Sequence, residues 1–301
     1  MNKIFKIIFL LPFFLFPSSL LQAKVNIVAT LPVFGSLAEE VGGDRVSVTS
    51  LARGNQDPHF LDAKPMFAVA LNKADLLLQG GLELEIGWLP PVLNQASNGK
   101  IAVGASGNVN LSQGIPVLEV PKTLMDRSMG DVHPLGNPHM WLDPRNVKLM
   151  AANIYQHLVQ VDPEGKTYYE TRLKDFISKI NAKMIGWDKD IASFKGKDVI
   201  TYHRSLSYFT NWTSLNVVTT IEPKPGIPPS SSRVDEIIKM LPNYKVKAIL
   251  IESFYPKKIP QYLSEKTGIP MLDLPTDTGE GDIKTYFDLM DHLINEIKKV
   301  I

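Results

Sequence analysis

Four side chains, His59, His139, His203 and Asp277, have the types from which a metal site can be built. Imidazole suits zinc and other borderline transition ions, and a carboxylate adds a hard, charged fourth ligand. The four are far apart in sequence. Each follows a predicted strand or stands in a turn-like approach to a helix. If the fold gathers them, they make a closed N3O site for Zn2+, with Mn2+ or Fe2+ as alternatives. Such a site suits capture of a metal better than it suits a reactive centre.

Each residue also has a plainer reading. His59, in Gln56-Asp57-Pro58-His59, reads alone as a solvated loop histidine, although Asp57 can cap the local backbone and Pro58 restricts the approach. His139 lies in Gly136-Asn137-Pro138-His139-Met140-Trp141-Leu142-Asp143-Pro144. Two prolines, a tryptophan and a capping aspartate specify the shape of that loop. His203, before a helix with Tyr208, Phe209 and Trp212, also reads as a buried, hydrogen-bonded histidine. Asp277, between two threonines, also reads as a helix cap. His133 is expected as an exposed loop residue, or as one that lines the cleft mouth or receives metal transiently. Glu252 ends a strand and is expected to hold a histidine nitrogen from behind, or the loop around the site. Glu222 is expected to shape a cleft loop, and His157 and His292 to be packing or surface residues. There is no phosphate-cradling glycine loop, HExxH pair or serine elbow. A zinc hydrolase would need an open coordination position and a base, for which Asp277 and Glu252 are the candidates.

The elements that must position these residues alternate. Val25–Ala29, Val46–Ser50, Leu76–Leu78 and Ile101–Val103 read as strands, with helices over Pro32–Val41 and Ala63–Lys73. The rhythm returns in Val199–Tyr202, Val217–Ile221, Ala248–Glu252 and Met271–Leu274, with helices from Val234, Ile259 and Gly281. This predicts an α/β fold of two Rossmann-like lobes with parallel sheets. Between them, Tyr169, Leu173, Phe176, Ile180, Met184, Trp187 and Ile191 recur at spacings of three or four. That apolar stripe predicts a long rigid helix joining the lobes and ending before Gly196. Ligands of open parallel sheets bind beyond the carboxyl ends of the strands, which places the metal site in the cleft. The expected division is a leader over 1–23, an N-terminal lobe over 24–143, connecting helices over 144–195 and a C-terminal lobe over 196–301.

The leader has Lys3 and Lys6, an apolar run from Ile7 to Leu21 broken by Pro12 and Pro17, and Ala23 before the cut. It reads as a secretory signal rather than a membrane span. The chain has no cysteine. Disulfides, thiolate ligands and a cysteine-linked lipid are therefore excluded, and the core must stabilise the protein alone. With 32 basic and 31 acidic residues, the charge balance predicts no nucleic acid partner. The expected location is the periplasm, and the expected state a monomer.

These segments resemble the metal-binding solute receptors of ABC importers, the family of zinc- and manganese-specific periplasmic proteins, over essentially the whole mature chain. Asp57-Pro58-His59 matches the first ligand motif, Asn137 to Pro144 the second and His203 with Ser207-Tyr208-Phe209 the third. Thr276-Asp277-Thr278, with Gly281 and Tyr286, matches the fourth. The resemblance implies capture of a divalent ion, delivery to a membrane permease, no catalysis and limited closure around a rigid helix. It also implies His59, His139, His203 and Asp277 as ligands. Manganese receptors of this family commonly carry glutamate at the third position, so His203 points to zinc. Many zinc receptors have a long histidine- and acid-rich loop before the second ligand. Here the interval from Glu119 to Gly136 offers only His133, Asp126 and Asp131, which leaves manganese and iron open.

Overall fold

The computed structural model describes residues 23–122 and 133–301. The expected leader, apart from Ala23, lies outside these residues, as do Asp126 and Asp131. Two four-stranded sheets, all parallel, share one winding order. The first is ordered β2-β1-β3-β4, from β1 (Val25–Ala29), β2 (Val46–Ser50), β3 (Leu76–Gln79) and β4 (Asn108–Asn110). The second is ordered β6-β5-β7-β8, from β5 (Asp198–Thr201), β6 (Asn216–Thr220), β7 (Ala248–Glu252) and β8 (Met271–Leu274). In each, the chain switches sides between its first and third strands, and that crevice is where ligands of such sheets sit.

Burial explains the strand patterns. Every residue of β7 is buried, as expected of a central parallel strand covered on both faces, whereas the edge strand β2 alternates. Along β5 and β7, Val199, Ala248 and Leu250 join the main core, while Ile200, Ile249 and Ile251 join a second apolar cluster on the far face. The period of two thus feeds two cores from one sheet.

One expected strand is corrected. Ile101–Val103 is not a strand: Gly99–Ile101 is a 3-10 turn capped by the Asn98 side chain, and Val103 is 88% exposed. The edge strand is Asn108–Asn110, in which only Val109 is buried. Asn108 Nδ2 bonds Ile101 O, so side-chain amides hold this edge where β-branched packing is missing.

In the first sheet's lobe the helices are α1 (Pro32–Gly42), α2 (Pro65–Asn72) and α3 (Leu89–Ala96). The connector holds α4 (Pro144–Val161) and the long α5 (Lys166–Ile191), the latter flanked by 3-10 turns at Pro163–Gly165 and Ala192–Phe194. Beyond it come α6 (Ser207–Thr213), α7 (Ser231–Met240), α8 (Lys258–Thr267) and α9 (Tyr286–Lys298). Asp143 caps α4 by accepting from Arg145 N, with Pro144 at the first helical position. The predicted stripe of α5 is its buried face: Tyr169, Phe176, Ile180, Trp187 and Ile191 are buried, and Leu173 and Met184 pack against the core. The last helix begins later than expected. Gly281 lies in a turn at φ +52, and the Thr285–Asp288 capping box sets the start. Two parallel-sheet lobes joined by a long helix are thus the architecture, and among the described residues no helix is long and apolar enough to cross a membrane.

Candidate metal centre

Three of the four expected ligands come together. His59, His139 and His203 each present a ligand atom, all within 4.8 Å of one another. Their ring centroids are 5.0 Å (His59–His139), 5.5 Å (His59–His203) and 5.6 Å (His139–His203) apart, a nearly equilateral triangle. All three residues are buried, at 3%, 1% and 3% exposure.

Each ring is held in the same way. His59 Nδ1 lies 2.7 Å from Asp57 Oδ1, which also accepts from the His59 backbone N–H at 3.0 Å. His139 Nδ1 lies 3.0 Å from Asn137 Oδ1, which accepts from the His139 backbone N–H at 2.9 Å. His203 Nδ1 lies 2.7 Å from Glu222 Oε2. A carboxylate or amide oxygen can only accept, so each neutral ring carries its proton on Nδ1 and bears its lone pair on Nε2. The tautomer that metal binding needs is therefore set before any ion arrives. His139 Nε2 is buried and has no hydrogen-bond partner among the described residues. An unsatisfied buried acceptor is costly, and a metal ion is the partner that its chemistry fits.

The supports reach outward. Trp88 Nε1 donates to Pro58 O at 3.0 Å and fixes the His59 loop. Asn137 Nδ2 donates to Arg204 O at 2.9 Å, and Tyr208 Oη to Asn137 O at 2.9 Å, tying the His139 loop to the segment that carries His203. Trp141 Nε1 donates to Thr276 O at 2.7 Å, so the Asp277 loop is locked beside the His139 loop.

Asp277 does not join the three-histidine cluster. It is buried, and its Oδ1 accepts from Val33 N and Thr278 N, both at 2.7 Å. Val33 lies in the first turn of α1, whose preceding residue provides no side-chain cap, so Asp277 takes that part from across the cleft. Burial pushes its carboxyl well above the usual range, against these two backbone bonds. Glu252 is corrected. Fully buried at the end of β7, with its carboxyl pushed up by burial, it does not hold a histidine nitrogen; Glu222 holds His203. Of the places expected for His133, the cleft mouth is the one it takes, where it lines the cavity with His139 and His203. It is half-buried, and its Nε2 lies 3.1 Å from His59 Nε2.

Electrostatics separate the rings. Burial, then the neighbouring His59, His203 and His133, hold His139 well below the usual imidazole value. For His203, burial works downward, but the Glu222 hydrogen bond and charge, with Glu252 and Asp57, raise it above that value. Burial works to raise Asp57, but its bond to His59 holds it below the usual carboxylate range. A cavity of about 190 Å³ opens onto the cluster, lined by His133, His139, His203, Glu119, Arg204 and Lys224 among others.

Sequence reasoning missed the holders. The signal was there for two of them: Asp57-Pro58-His59 and Asn137-Pro138-His139 are the same tripeptide form, an Asx acceptor two residues before the histidine. Glu222 is 19 residues from His203 and carried no such signal.

Residues 27–300 match the family model described as ZnuA, zinc-uptake complex component A, periplasmic. The chain is 24% identical to the manganese ABC transporter substrate-binding lipoprotein scaA of Streptococcus gordonii, over 92% of this chain and 89% of that protein. It is 24% identical to the manganese lipoprotein PsaA of Streptococcus pneumoniae, over 91% and 88%. Among solved structures, the crystal structure of ZnuA superposes with a TM-score of 0.77 at 23% identity, covering 92% of this chain and 99% of that one. A Mn-bound S38A mutant of a periplasmic metal-binding protein from Candidatus Liberibacter asiaticus superposes at 0.74 with 20% identity, covering 92% and 100%.

Proposed function

Because this chain belongs to the family of zinc-uptake component A receptors, we propose that its cargo ion is bound by His59, His139 and His203 through Nε2, with Asp277 as the carboxylate ligand. At the level of the family, the chain is an extracytoplasmic receptor that captures a divalent transition metal for an ABC importer permease, and it is not an enzyme. The observation that carries the ligand reading is the shared arrangement of the three rings: buried, mutually close, and each pinned at Nδ1.

Two observations bear on which metal. The names of the streptococcal relatives speak for manganese, and they support that alternative better than zinc. The nitrogen-rich donor set speaks for zinc. Affinity alone does not decide, since zinc binds almost any nitrogen and oxygen site more tightly than manganese. The test is the metal co-purified with the full chain from its own compartment, together with competitive titration of both ions. Stoichiometric manganese in cells would settle on the manganese receptor. Retention of either ion by the His139→Ala chain at wild-type affinity would refute the ligand set.

We take the lobes as 24–143 and 196–301, joined by the helical connector 144–195, and the receptor as a monomer. Protons compete with the ion for imidazole nitrogen, so acid releases the cargo.

A further inference from the structure

We infer that His133 is a ligand to the same ion, a fourth imidazole reaching it from the mouth of the cleft. This rests on the metal reading of the three buried histidines and deepens it.

The carrying observation is the 3.1 Å between His133 Nε2 and His59 Nε2. Two nitrogens bound to one ion at about 2.0–2.1 Å, at angles from right to tetrahedral, stand about 2.9–3.4 Å apart. The pair therefore already has the spacing of adjacent ligands. Between ring centroids His133 is 5.1 Å from His59, inside the triad's range, but 6.3 Å from His139, wider than any triad spacing; it stands outside the group of three and must close in to share their ion. His133 also lines the same cavity as His139 and His203.

Proton bookkeeping is consistent with two states. Asp57 fixes the proton of His59 on Nδ1, so His59 Nε2 can only accept. In the 3.1 Å contact between the two rings, His133 therefore donates its Nε2 proton to His59. To bind the ion, His133 takes its other neutral tautomer, with the proton on Nδ1, so that no net charge changes and both Nε2 lone pairs face the cation.

The backbone holds His133 in place. Its carbonyl accepts from Gly136 N at 3.0 Å, closing a turn. Gly136 has φ +103, and a Cβ there would stand 2.3 Å from Val117 Cγ1, so the turn is pressed against the preceding segment. Asn137 N then bonds Leu118 O at 2.8 Å. One short segment thus positions both His133 and the amide that orients His139. With Asp277 as the oxygen donor, the ion has four nitrogens and one oxygen, a coordination number that zinc accepts.

The test is X-ray absorption on the zinc-loaded full chain, with affinity by chelator competition. Four imidazoles are expected in the wild type and in Asp277→Asn, and three in His133→Ala, with zinc affinity lowered at least about tenfold. His133→Gln serves as a second variant, and thermal melting of the metal-free proteins checks that each is folded. Three imidazoles in the wild type, unchanged in both His133 variants, would show that the residue only hydrogen-bonds His59 and would overturn the inference. A wild-type chain that binds no stoichiometric metal would instead remove the receptor reading beneath it.

Discussion

Replacing Glu222 by glutamine tests how the centre is organised without touching a ligand. Glu222 Oε2 stands 2.7 Å from His203 Nδ1, and the two side chains are only 5% and 3% exposed, so water screens the charge poorly. The amide oxygen of glutamine still accepts a hydrogen bond, but the charge that makes His203 a stronger donor to the ion is lost. Removing such a holder typically weakens metal binding about 10- to 100-fold, or about 1.4–2.7 kcal/mol. Two comparisons place Glu222 near the top of that range. Asn137 holds His139 at 3.0 Å with no charge, and Asp57 holds His59 from a side chain that is 18% exposed. Asp57→Asn is therefore expected to cost less. Glu222 Oε2 also accepts from Gly226 N at 3.3 Å, so the mouth loop slackens as well. Chelator competition at neutral pH on the three proteins gives the ranking. Wild-type affinity in Glu222→Gln, or a loss in Asp57→Asn that exceeds it, would refute the reasoning.

Metal at about a thousandfold above its dissociation constant should stabilise the chain by about 4 kcal/mol, raising Tm by roughly 10 °C, and His139→Ala should show no such rise in calorimetry. Trp141→Phe strands the buried carbonyl of Thr276 and should lower stability by about 1–3 kcal/mol, read as a lower urea midpoint at unchanged slope. Asp162 accepts from Arg45 at 2.7 Å and from Tyr169 Oη at 2.6 Å; burial works to raise it, but these bonds hold it below the usual range. Its contribution is thus present above the unfolded value of about 4 and lost as pH falls through the lower folded value. Asp162→Asn should lose stability at neutral pH, and the gap to wild type should close only in strong acid. Tyr169, pushed up to about 12 by burial and then by Asp162, should contribute stability that is lost as pH rises through about 12, which alkaline melting of Tyr169→Phe checks.

What could be read from residues was what depends on local pattern. β7 and β8 were legible from their apolar runs, and α5 from seven apolar residues on one face. β4 was not, because in Asn-Val-Asn two strand-depleted residues flank a single valine and the strand is held by amides whose partners lie elsewhere. In the site, His59 and His139 announced themselves through the prolines and Asx residues beside them. Glu222 was hidden because its bond to His203 depends on β5 and β6 lying side by side. His133 looked exposed because only the folded turn at Gly136 brings it back over His59.

The main core runs without a break from the first sheet through α5 and α9 to one face of the second sheet. A jaw that swings wide would have to tear that packing, at the cost of unfolding. The molecule is better suited to work as a clasp.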